Sequence, residues 1–256
     1  MLRVSDAGRV GTMPHQRVIR YLSADDLADG LARRLVRAIL HRQDTQDEVH
    51  LCVTGGQAAT RVYEYLHDVD ERTSVDPSRL HVWWSDDAFV PTGDVQRTSL
   101  RTLPLLLTAF HLDPSRTHPI PTMDGKDDAD DAAYAYAQEL GNTIFDICLL
   151  DVGESGAVAS LFADDPSFSP HTTALAVGVT ASPTPATERI SLTLPEINRS
   201  HQVWLIASGV HKAKAVNESL LEGSQLPAAL AHGTEETLWW TDQLAAAQLP
   251  SYNCSL

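Results

Sequence analysis

The sequence has few cysteines and no long apolar run. Cys52, Cys148 and Cys254 are the only three cysteines in 256 residues, and they are widely spaced. This spacing supports neither a disulfide framework nor a zinc site of the CxxC type. No apolar stretch approaches the roughly 18 to 20 residues of a membrane-spanning helix. The N-terminal segment lacks the apolar stretch of a secretion signal, so we expect a reduced, cytoplasmic compartment.

Basic residues are also scarce. Nineteen Lys and Arg face 34 Asp and Glu, a formal net charge of −15. A field of that sign repels phosphate backbones and anionic lipid, which argues against nucleic acid and membrane surfaces as partners. The 43% hydrophobic and 21% charged residues are typical of a globular chain. Because no repeat or linker divides the chain, we expect a flexible tail over residues 1–13 and a single domain over 14–256.

Strand-like and helix-like runs alternate along most of the chain. The strand-like HQRVIRYL is followed by SADDLADGLARRLVRAILHRQ, whose leucines recur at helical spacing and whose Ser23 is the predicted N-cap. FDICLLDV reads as a strand buried on both faces. This alternation predicts an α/β fold with a mainly parallel sheet and helices on both of its faces. Residues 92–128 are the exception, because four prolines, Pro104 among them, are expected to break any long helix there.

Four loops follow predicted strands, where open α/β sheets bind their ligands. The first contains Thr54, Gly55, Gly56 and Gln57 at a strand-to-helix turn. Glycines let the backbone approach an anion, and the N–H groups that open the helix point toward it, so the loop is a candidate phosphate site. The alternative is an ordinary tight turn that uses glycine for its dihedral angles.

The second loop carries two adjacent carboxylates, Asp86 and Asp87, with Arg97 downstream. Such a pair at a strand end serves as acid, base or metal ligand in some proteins and as a solvated turn or helix cap in others. No histidine pair with metal-ligand spacing accompanies it.

The third loop begins at Gly153, and we expect a glycine turn followed by a helix. It holds no imidazole, thiol or lysine, and Ser155 is a nucleophile by residue type only, since GESGA is not a G-x-S-x-G elbow. The fourth loop places Lys212 at the start of a helix, where it is either an anion partner or a solvated lysine. His118 and His171 lie in loops and are the two histidines retained as candidate bases.

In order and spacing these loops resemble the 6-phosphogluconolactonase family, from about residue 17 to about residue 248. SRLHVWWSDDAFVPTGDVQRTSL is similar to the family's tryptophan-rich strand and G-D-E-R segment. FDICLLDVGESGAVASLF is similar to its G-x-D-G-H loop, and TERISLTLPEINRSHQVWLIASGVHKAKAV to its R-I-S-L and G-x-x-K segments. The resemblance implies a Rossmann-like fold and hydrolysis of 6-phospho-D-glucono-1,5-lactone to 6-phosphogluconate in the pentose phosphate pathway, without metal or cofactor.

The resemblance also implies a histidine that activates water, an Asp that orients it, and an Arg and a Lys that hold the phosphate. This chain departs from that pattern, because Ala157 stands at the histidine position, Ser155 at the Asp position and Ala88 at the Arg position. Asp151 stands where the family has Gly. The remaining candidates are Ser155, Asp86 and Asp87 for catalysis, and for substrate binding Thr54, Gly55, Gly56, Gln57, Arg97, Gly156 and Lys212.

Three hypotheses follow from these substitutions. The chain is a divergent lactonase with a substitute base, for which Asp86, Asp87, His118 and His171 are the candidates. Alternatively it is an inactive homologue that acts as a binding or regulatory subunit, with a protein partner among pentose phosphate enzymes. The third hypothesis is a sugar-phosphate sensor without turnover. A positioned base contributes typically 10²- to 10⁴-fold to rate. The first hypothesis therefore differs from the other two in the rate of lactone hydrolysis.

Overall fold

The computed structural model describes residues 16–180, 182–183 and 188–250. The predicted tail over residues 1–13 lies outside these ranges. The strands are β1 (Gln16–Tyr21), β2 (Val49–Val53), β3 (Leu80–Trp84), β4 (Asp86–Ala88), β5 (Thr117–His118), β6 (Ile147–Asp151), β7 (Ala176–Val179), β8 (Arg189–Leu192), β9 (Gln202–Ala207) and β10 (Glu236–Asp242). The α-helices are α1 (Ala24–Gln43), α2 (Gln57–Tyr65), α3 (Thr98–Phe110), α4 (Ala129–Leu140), α5 (Leu194–Ile197), α6 (Ala213–Ser219) and α7 (Pro227–Leu230).

The main sheet has seven parallel strands in the order β1-β10-β9-β6-β2-β3-β5. This confirms the predicted α/β fold with a mainly parallel sheet. The strands β7 and β8 form, with β4, a separate antiparallel sheet of three strands in the order β4-β8-β7. The short acidic segment Asp86–Ala88, which the sequence placed in a loop, is the edge strand of that second sheet.

The hydrophobic core follows the apolar runs of the sequence. In β6, the central strand of the main sheet, Ile147 to Leu150 are fully buried, as expected of a strand covered on both faces. Helix α1 starts at its predicted cap, since the Ser23 side chain accepts a hydrogen bond from the Asp26 N–H, and it buries Leu27, Leu31, Leu35 and Ile39.

The prediction that prolines prevent a long helix over residues 92–128 is wrong. Helix α3 runs for 13 residues from Thr98 to Phe110 with Pro104 inside it. A proline within a helix costs about 3 kcal/mol because it removes a hydrogen bond and crowds the preceding turn. Here Pro104 is exposed, while Leu106 and Phe110 on the opposite face are buried, so tertiary packing offsets the cost.

The helix predicted after the third loop is also absent. Residues 153–162 form turns, with an isolated β-bridge between Val158 and Leu161. Gly156 has a φ of 78° and Ala159 a φ of 50°. Such left-handed backbone conformations are incompatible with a continuous α-helix. The loop therefore folds back on itself, and the Gly153 N–H donates to the Ala157 carbonyl at 2.8 Å.

The four candidate loops follow four strands that are neighbours in the sheet, β9, β6, β2 and β3. Because these strands are parallel, their carboxyl ends lie at one edge. In the sheet, β3 lies on one side of β2. On the other side of β2 lies β6, and β9 lies next to β6. This reversal is the topological switch point at which open α/β sheets form a ligand crevice.

A stack of histidines lies near the amino ends of β2 and β3, beside β5. His50 and His81 have ring centroids 4.6 Å apart, His81 and His118 5.2 Å, and His118 lies 3.8 Å from Trp83. Burial lowers the pKa of His50 from 6.5 to about 4, and the His81 charge is the second cause of this decrease. The carboxylates of Asp146 and Glu48 oppose it. Burial likewise lowers the pKa of His81. His118 is thereby placed in a structural cluster with Glu139 rather than at the strand-end loops.

We expect acid to destabilise the fold through this cluster. Since the pKa of His50 is about 4 in the folded state and 6.5 ordinarily, the unfolded chain binds more protons between these pH values, and stability falls as pH drops. The His50→Gln variant keeps an acceptor for the Trp83 indole N–H, which donates to His50 at 3.1 Å. Chemical denaturation from pH 7 to 4.5 should show a shallower loss of stability for this variant than for the natural protein. The exposed His41→Gln variant is the matched control, and equal slopes for all three proteins would contradict the prediction.

Candidate functional site

A cavity of about 330 Å³ opens at the switch point of the sheet. Three of the four candidate loops contribute to its wall, together with residues of α3, β6 and β8 and with Gln96, which precedes α3. The lining residues are Thr54, Gly55, Gly56, Asp86, Gln96, Thr98, Arg101, Asp151, Gly153, Ala157, Ala159, Ser160, Phe162 and Arg189. Its volume lies at the lower end of the range for small-molecule sites, which suits a ligand of monosaccharide size.

The glycine turn after β2 forms the floor between the cavity and helix α2. Gly56 has a φ of 95°, a conformation that L side chains rarely adopt, and it precedes the first residue of α2, Gln57. Tyr63 holds the turn, since its hydroxyl accepts from the Thr54 N–H at 3.1 Å and donates to the Thr54 carbonyl at 3.0 Å. No side chain caps α2, so its first N–H groups remain available to an anion.

Asp86 lines the cavity as the sequence suggested, but its carboxylate is occupied. Its Oδ2 accepts from the Arg189 guanidinium and from the Ser160 hydroxyl, each at 2.7 Å. Arg189 also donates to the Ser160 hydroxyl at 2.6 Å. The three side chains form a buried, hydrogen-bonded group that fixes β4 and β8 against the third loop. Within this group the Asp86 carboxylate and the Arg189 guanidinium form an ion pair.

Asp87 and Arg97 form a second buried pair that lies outside the cavity wall. Both are almost fully buried, and the Arg97 guanidinium donates to the Asp87 carboxylate at 3.0 Å. Asp87 also accepts from the Thr98 N–H at 2.6 Å and from the Ser99 hydroxyl at 2.7 Å, at the start of α3. Arg97 further donates to the Ile120 carbonyl at 2.6 Å. Asp87 thus anchors the N-terminus of α3, and Arg97 neutralises it.

The third loop presents a methyl group to the cavity where the resemblance implies an imidazole. Ala157 is 5% exposed and lies on the wall. Ser155 is exposed and does not line either described cavity, and Gly156 is buried with its backbone close to Leu226. Neither His118 nor the exposed His171 lines these cavities. Of the four substitute bases considered from the sequence, only Asp86 reaches the larger one.

A second cavity, of about 240 Å³, lies beside the first and holds the remaining predicted residues. Gln57 and Lys212 line it together with Arg61 and His211, which makes its wall rich in basic side chains. Lys212 sits in the turn before α6, as predicted, and its ammonium donates to the Val152 carbonyl at 2.6 Å. It also lies 3.6 Å from Oδ2 of Asp151. An anion that enters this cavity would meet Lys212 and the first turn of α2.

Asp151 is the residue that both cavities share. Burial raises the pKa of its carboxyl to about 6, the nearby Lys212 opposes this shift, and the Asp86 charge adds to it. Its Oδ1 is buried, and no group of the described chain forms a hydrogen bond with it. Asp151 therefore differs from Asp86 and Asp87, whose carboxylates are held by buried arginines.

Sequence reasoning missed three charged residues of the cavity wall, Asp151, Arg101 and Arg189. Asp151 ends the apolar run FDICLLDV, and a charged residue at that end of a buried strand is the signal that identifies it. Arg101 follows Arg97 by four residues, which puts it one helical turn further along α3. Arg189 begins the segment similar to R-I-S-L, but its place at the cavity depends on the pairing of β8 with β4.

Within the part of the chain that the structure describes, no group of three or more His, Cys, Asp or Glu side chains is arranged to hold a metal ion. The described helices include none that is long and apolar enough to cross a membrane. Cys52 and Cys148 are buried free thiols.

Comparison with known proteins gives one consistent family. A family model described as glucosamine-6-phosphate isomerases/6-phosphogluconolactonase matches residues 22–240. A 6-phosphogluconolactonase of Streptomyces coelicolor is 38% identical over 238 residues, which cover 88% of this chain and 91% of that protein. A 6-phosphogluconolactonase of Mycobacterium tuberculosis is 35% identical over 240 residues, which cover 89% of this chain and 96% of that protein.

Solved structures show the same fold at lower identity. The 6-phosphogluconolactonase from Trypanosoma cruzi matches with a TM-score of 0.80 and 19% identity, over 94% of this chain and 99% of that one. A monomeric glucosamine-6-phosphate deaminase matches with a TM-score of 0.76 and 19% identity, over 90% of this chain and 99% of that one. The second match shows that the fold by itself does not distinguish the two reactions.

We expect the Asp87→Asn variant to lose about 3–5 kcal/mol of unfolding free energy, because it leaves the buried Arg97 guanidinium without its counter-charge. The exposed Asp68→Asn variant carries the same chemical change and should stay within about 0.5 kcal/mol of the natural protein. Urea denaturation of the three proteins measures both effects. A loss below about 1 kcal/mol for Asp87→Asn would show that the pair does not anchor α3.

Proposed function

This chain belongs to the family of glucosamine-6-phosphate isomerases and 6-phosphogluconolactonases, and on that premise we propose that it hydrolyses 6-phospho-D-glucono-1,5-lactone to 6-phosphogluconate in the pentose phosphate pathway. The observation that carries the proposal is the pair of adjoining cavities at the switch point of the sheet. One has a basic wall for a phosphate, and the other has room for a sugar ring beside it.

The phosphate group is assigned to the second cavity. Lys212 and Arg61 supply positive charge there, and Gln57 opens α2 at its wall. Phosphate binds well where helix N–H groups and a lysine converge, because the hydrogen bonds are charge-assisted. Thr54, Gly55 and Gly56 line the neighbouring cavity, where their backbone forms a surface against which a ring can lie.

The lactone ring is assigned to the larger cavity. Arg101 is exposed at its wall on α3, and Asp86 and Arg189 lie deeper in it. Ala88 stands at the position where the resemblance implies an arginine, and Arg101 supplies a cation to this cavity. Arg97, which was expected to bind substrate, is held by Asp87. The proposal includes a cytoplasmic location, which the free thiols of Cys52 and Cys148 support.

A second candidate function is that of a non-catalytic sugar-phosphate binder, either a sensor or a regulatory subunit of another pentose phosphate enzyme. The observation that favours it is Ala157, which faces the cavity with a methyl group, while no histidine of the described chain lines the larger cavity. A methyl group cannot accept a proton, so this function would retain the binding of 6-phosphogluconate and lack turnover.

The decisive experiment measures the hydrolysis of freshly generated 6-phosphogluconolactone against its spontaneous rate, alongside calorimetric binding of 6-phosphogluconate. Turnover above the spontaneous rate supports the lactonase. Binding without turnover supports the sensor or subunit, and the Ala157→His/Ser155→Asp double variant should then gain activity. A protein that neither hydrolyses the lactone nor binds 6-phosphogluconate at millimolar concentration overturns both functions.

We expect the Lys212→Met variant to bind 6-phosphogluconate about 10- to 150-fold more weakly, since a lost charge-assisted hydrogen bond costs about 1.5–3 kcal/mol. The Lys214→Met variant is the matched control, because the Lys214 side chain is 74% exposed and pairs only with Glu218 in the described structure. Isothermal calorimetry at constant ionic strength compares the two variants with the natural protein. Equal affinities for Lys212→Met and Lys214→Met would show that the phosphate does not bind in the second cavity.

A further inference from the structure

We propose that Asp151 is the catalytic base of this chain, the group that takes a proton from the water that attacks the lactone carbonyl. The inference rests on the proposed lactonase function and adds to it the residue that performs the proton transfer. Asp151 was not among the substitute bases that the sequence suggested, which were Asp86, Asp87, His118 and His171.

The position of Asp151 is the first argument. It is the last residue of β6, the strand between β9 and β2 at the switch point of the sheet. It alone appears in the walls of both described cavities. A group at this junction lies between the basic wall that holds a phosphate and the larger cavity that holds the ring. The reacting carbonyl of a ring bound in that cavity is therefore close to Asp151, and so is the water that attacks this carbonyl.

The hydrogen bonding of Asp151 is the second argument. Its Oδ1 is buried and has no hydrogen-bond partner among the described residues, whereas most buried polar atoms in native proteins have one. An unsatisfied carboxylate oxygen beside a cavity is an acceptor for a water molecule or a substrate hydroxyl. The other carboxylate of the cavity differs, because Asp86 accepts from Arg189 and from Ser160. Asp151 is thus the acidic residue of the wall whose carboxylate is not paired with an arginine of the described chain.

The electrostatic surroundings suit proton transfer near neutral pH. Burial raises the pKa of Asp151 to about 6, with Asp86 adding to the shift and Lys212 opposing it. Arg61 and His211 share the second cavity with it, and Arg101 and Arg189 the first. An ordinary Asp has a pKa of about 3.9, so this carboxylate is a stronger base and is still mostly ionised at pH 7. A base is most effective when its pKa lies close to the working pH.

The backbone of the first loop is shaped around this carboxyl group. A β-carbon placed on Gly56 would lie 2.5 Å from both Cγ and Oδ2 of Asp151. The carboxyl group therefore packs directly on the α-carbon of Gly56, and any side chain there would displace it. Together with Lys212, which lies 3.6 Å from Oδ2, this contact holds the side chain in one orientation at the cavity wall.

The reaction balances with Asp151 and water alone. The carboxylate takes a proton from water as the water oxygen forms a bond to C1, and the carbonyl electron pair moves to the carbonyl oxygen. When the carbonyl re-forms, the bond from C1 to the ring oxygen breaks, and that oxygen takes the proton back from the Asp151 carboxyl group. The product carboxylic acid then releases a proton to solvent as it ionises. The carboxylate of Asp151 is regenerated in each cycle.

The test compares the natural protein with the Asp151→Asn variant in lactone hydrolysis and in 6-phosphogluconate binding from pH 5 to 7.5. We expect the rate above the spontaneous background to fall by about 10²- to 10⁴-fold in the variant. Binding of 6-phosphogluconate at pH 7 should be kept or become tighter, because the substitution removes a negative charge beside Lys212. The Asp68→Asn variant is the control for the same chemical change at an exposed site.

The pH profile tests the inference without relying on the folding of the variant. In the natural protein the rate above background should decrease below pH 6 as Asp151 takes up a proton. The Lys212→Met variant should move this midpoint to higher pH, since the Lys212 cation favours the ionised carboxylate. A structural role for Asp151 would not move the midpoint in this way.

The outcomes separate the two proposals. If the natural protein hydrolyses the lactone and Asp151→Asn does so equally fast with the same pH profile, Asp151 is not the base and the lactonase function stands. If the natural protein shows no rate above background, both the lactonase function and the role of Asp151 are overturned. If Asp151→Asn is folded, binds 6-phosphogluconate and lacks turnover, both are supported.

Discussion

The parallel pairing of β9, β6, β2 and β3 is the constraint on which the site depends. These strands are neighbours in the sheet but distant in the sequence, and their common direction brings four loops to one edge. The reversal of strand order between β2 and β6 leaves a crevice there, because successive connections run to opposite sides of it. The glycine turn before α2, the loop after β6 and the turn that carries Lys212 surround this crevice. The chemistry at this edge is therefore set by the residues that end the strands and by those of the loops that follow them.

Local charge at this edge differs from the charge of the whole chain. The protein carries a formal net charge of −15, yet Lys212, Arg61 and Arg101 line the two cavities. A distributed negative charge is screened within about 10 Å at 0.1 M salt, so the nearby cations dominate the field that a bound phosphate experiences. Global charge is thus informative about extended polyanions such as nucleic acid, and much less so about a small phosphorylated ligand in a lined cavity.

The carboxylates of the site show how environment assigns different roles to one residue type. Asp87 anchors the start of α3 and is neutralised by Arg97, and Asp86 is held by Arg189 and Ser160. Asp151 has only the more distant Lys212 and a buried, unpartnered oxygen. Asp86 and Asp87 are thus paired with close guanidinium groups, whereas burial raises the pKa of Asp151. The functional proposal follows from this difference and not from the number of acidic residues.

By itself the sequence determined the α/β class, the buried strand FDICLLDV, the cap of α1 at Ser23 and the glycine turn at Gly56, because apolar periodicity and local backbone chemistry are properties of short segments. It failed for α3, where long-range packing offsets Pro104, and for the loop after β6, where left-handed residues prevent a helix. Which acidic residues meet an arginine depends on contacts across the fold, such as that of Asp86 with Arg189, and only the tertiary structure decided them. The same holds for Asp151, whose place between two cavities arises from the pairing of distant strands.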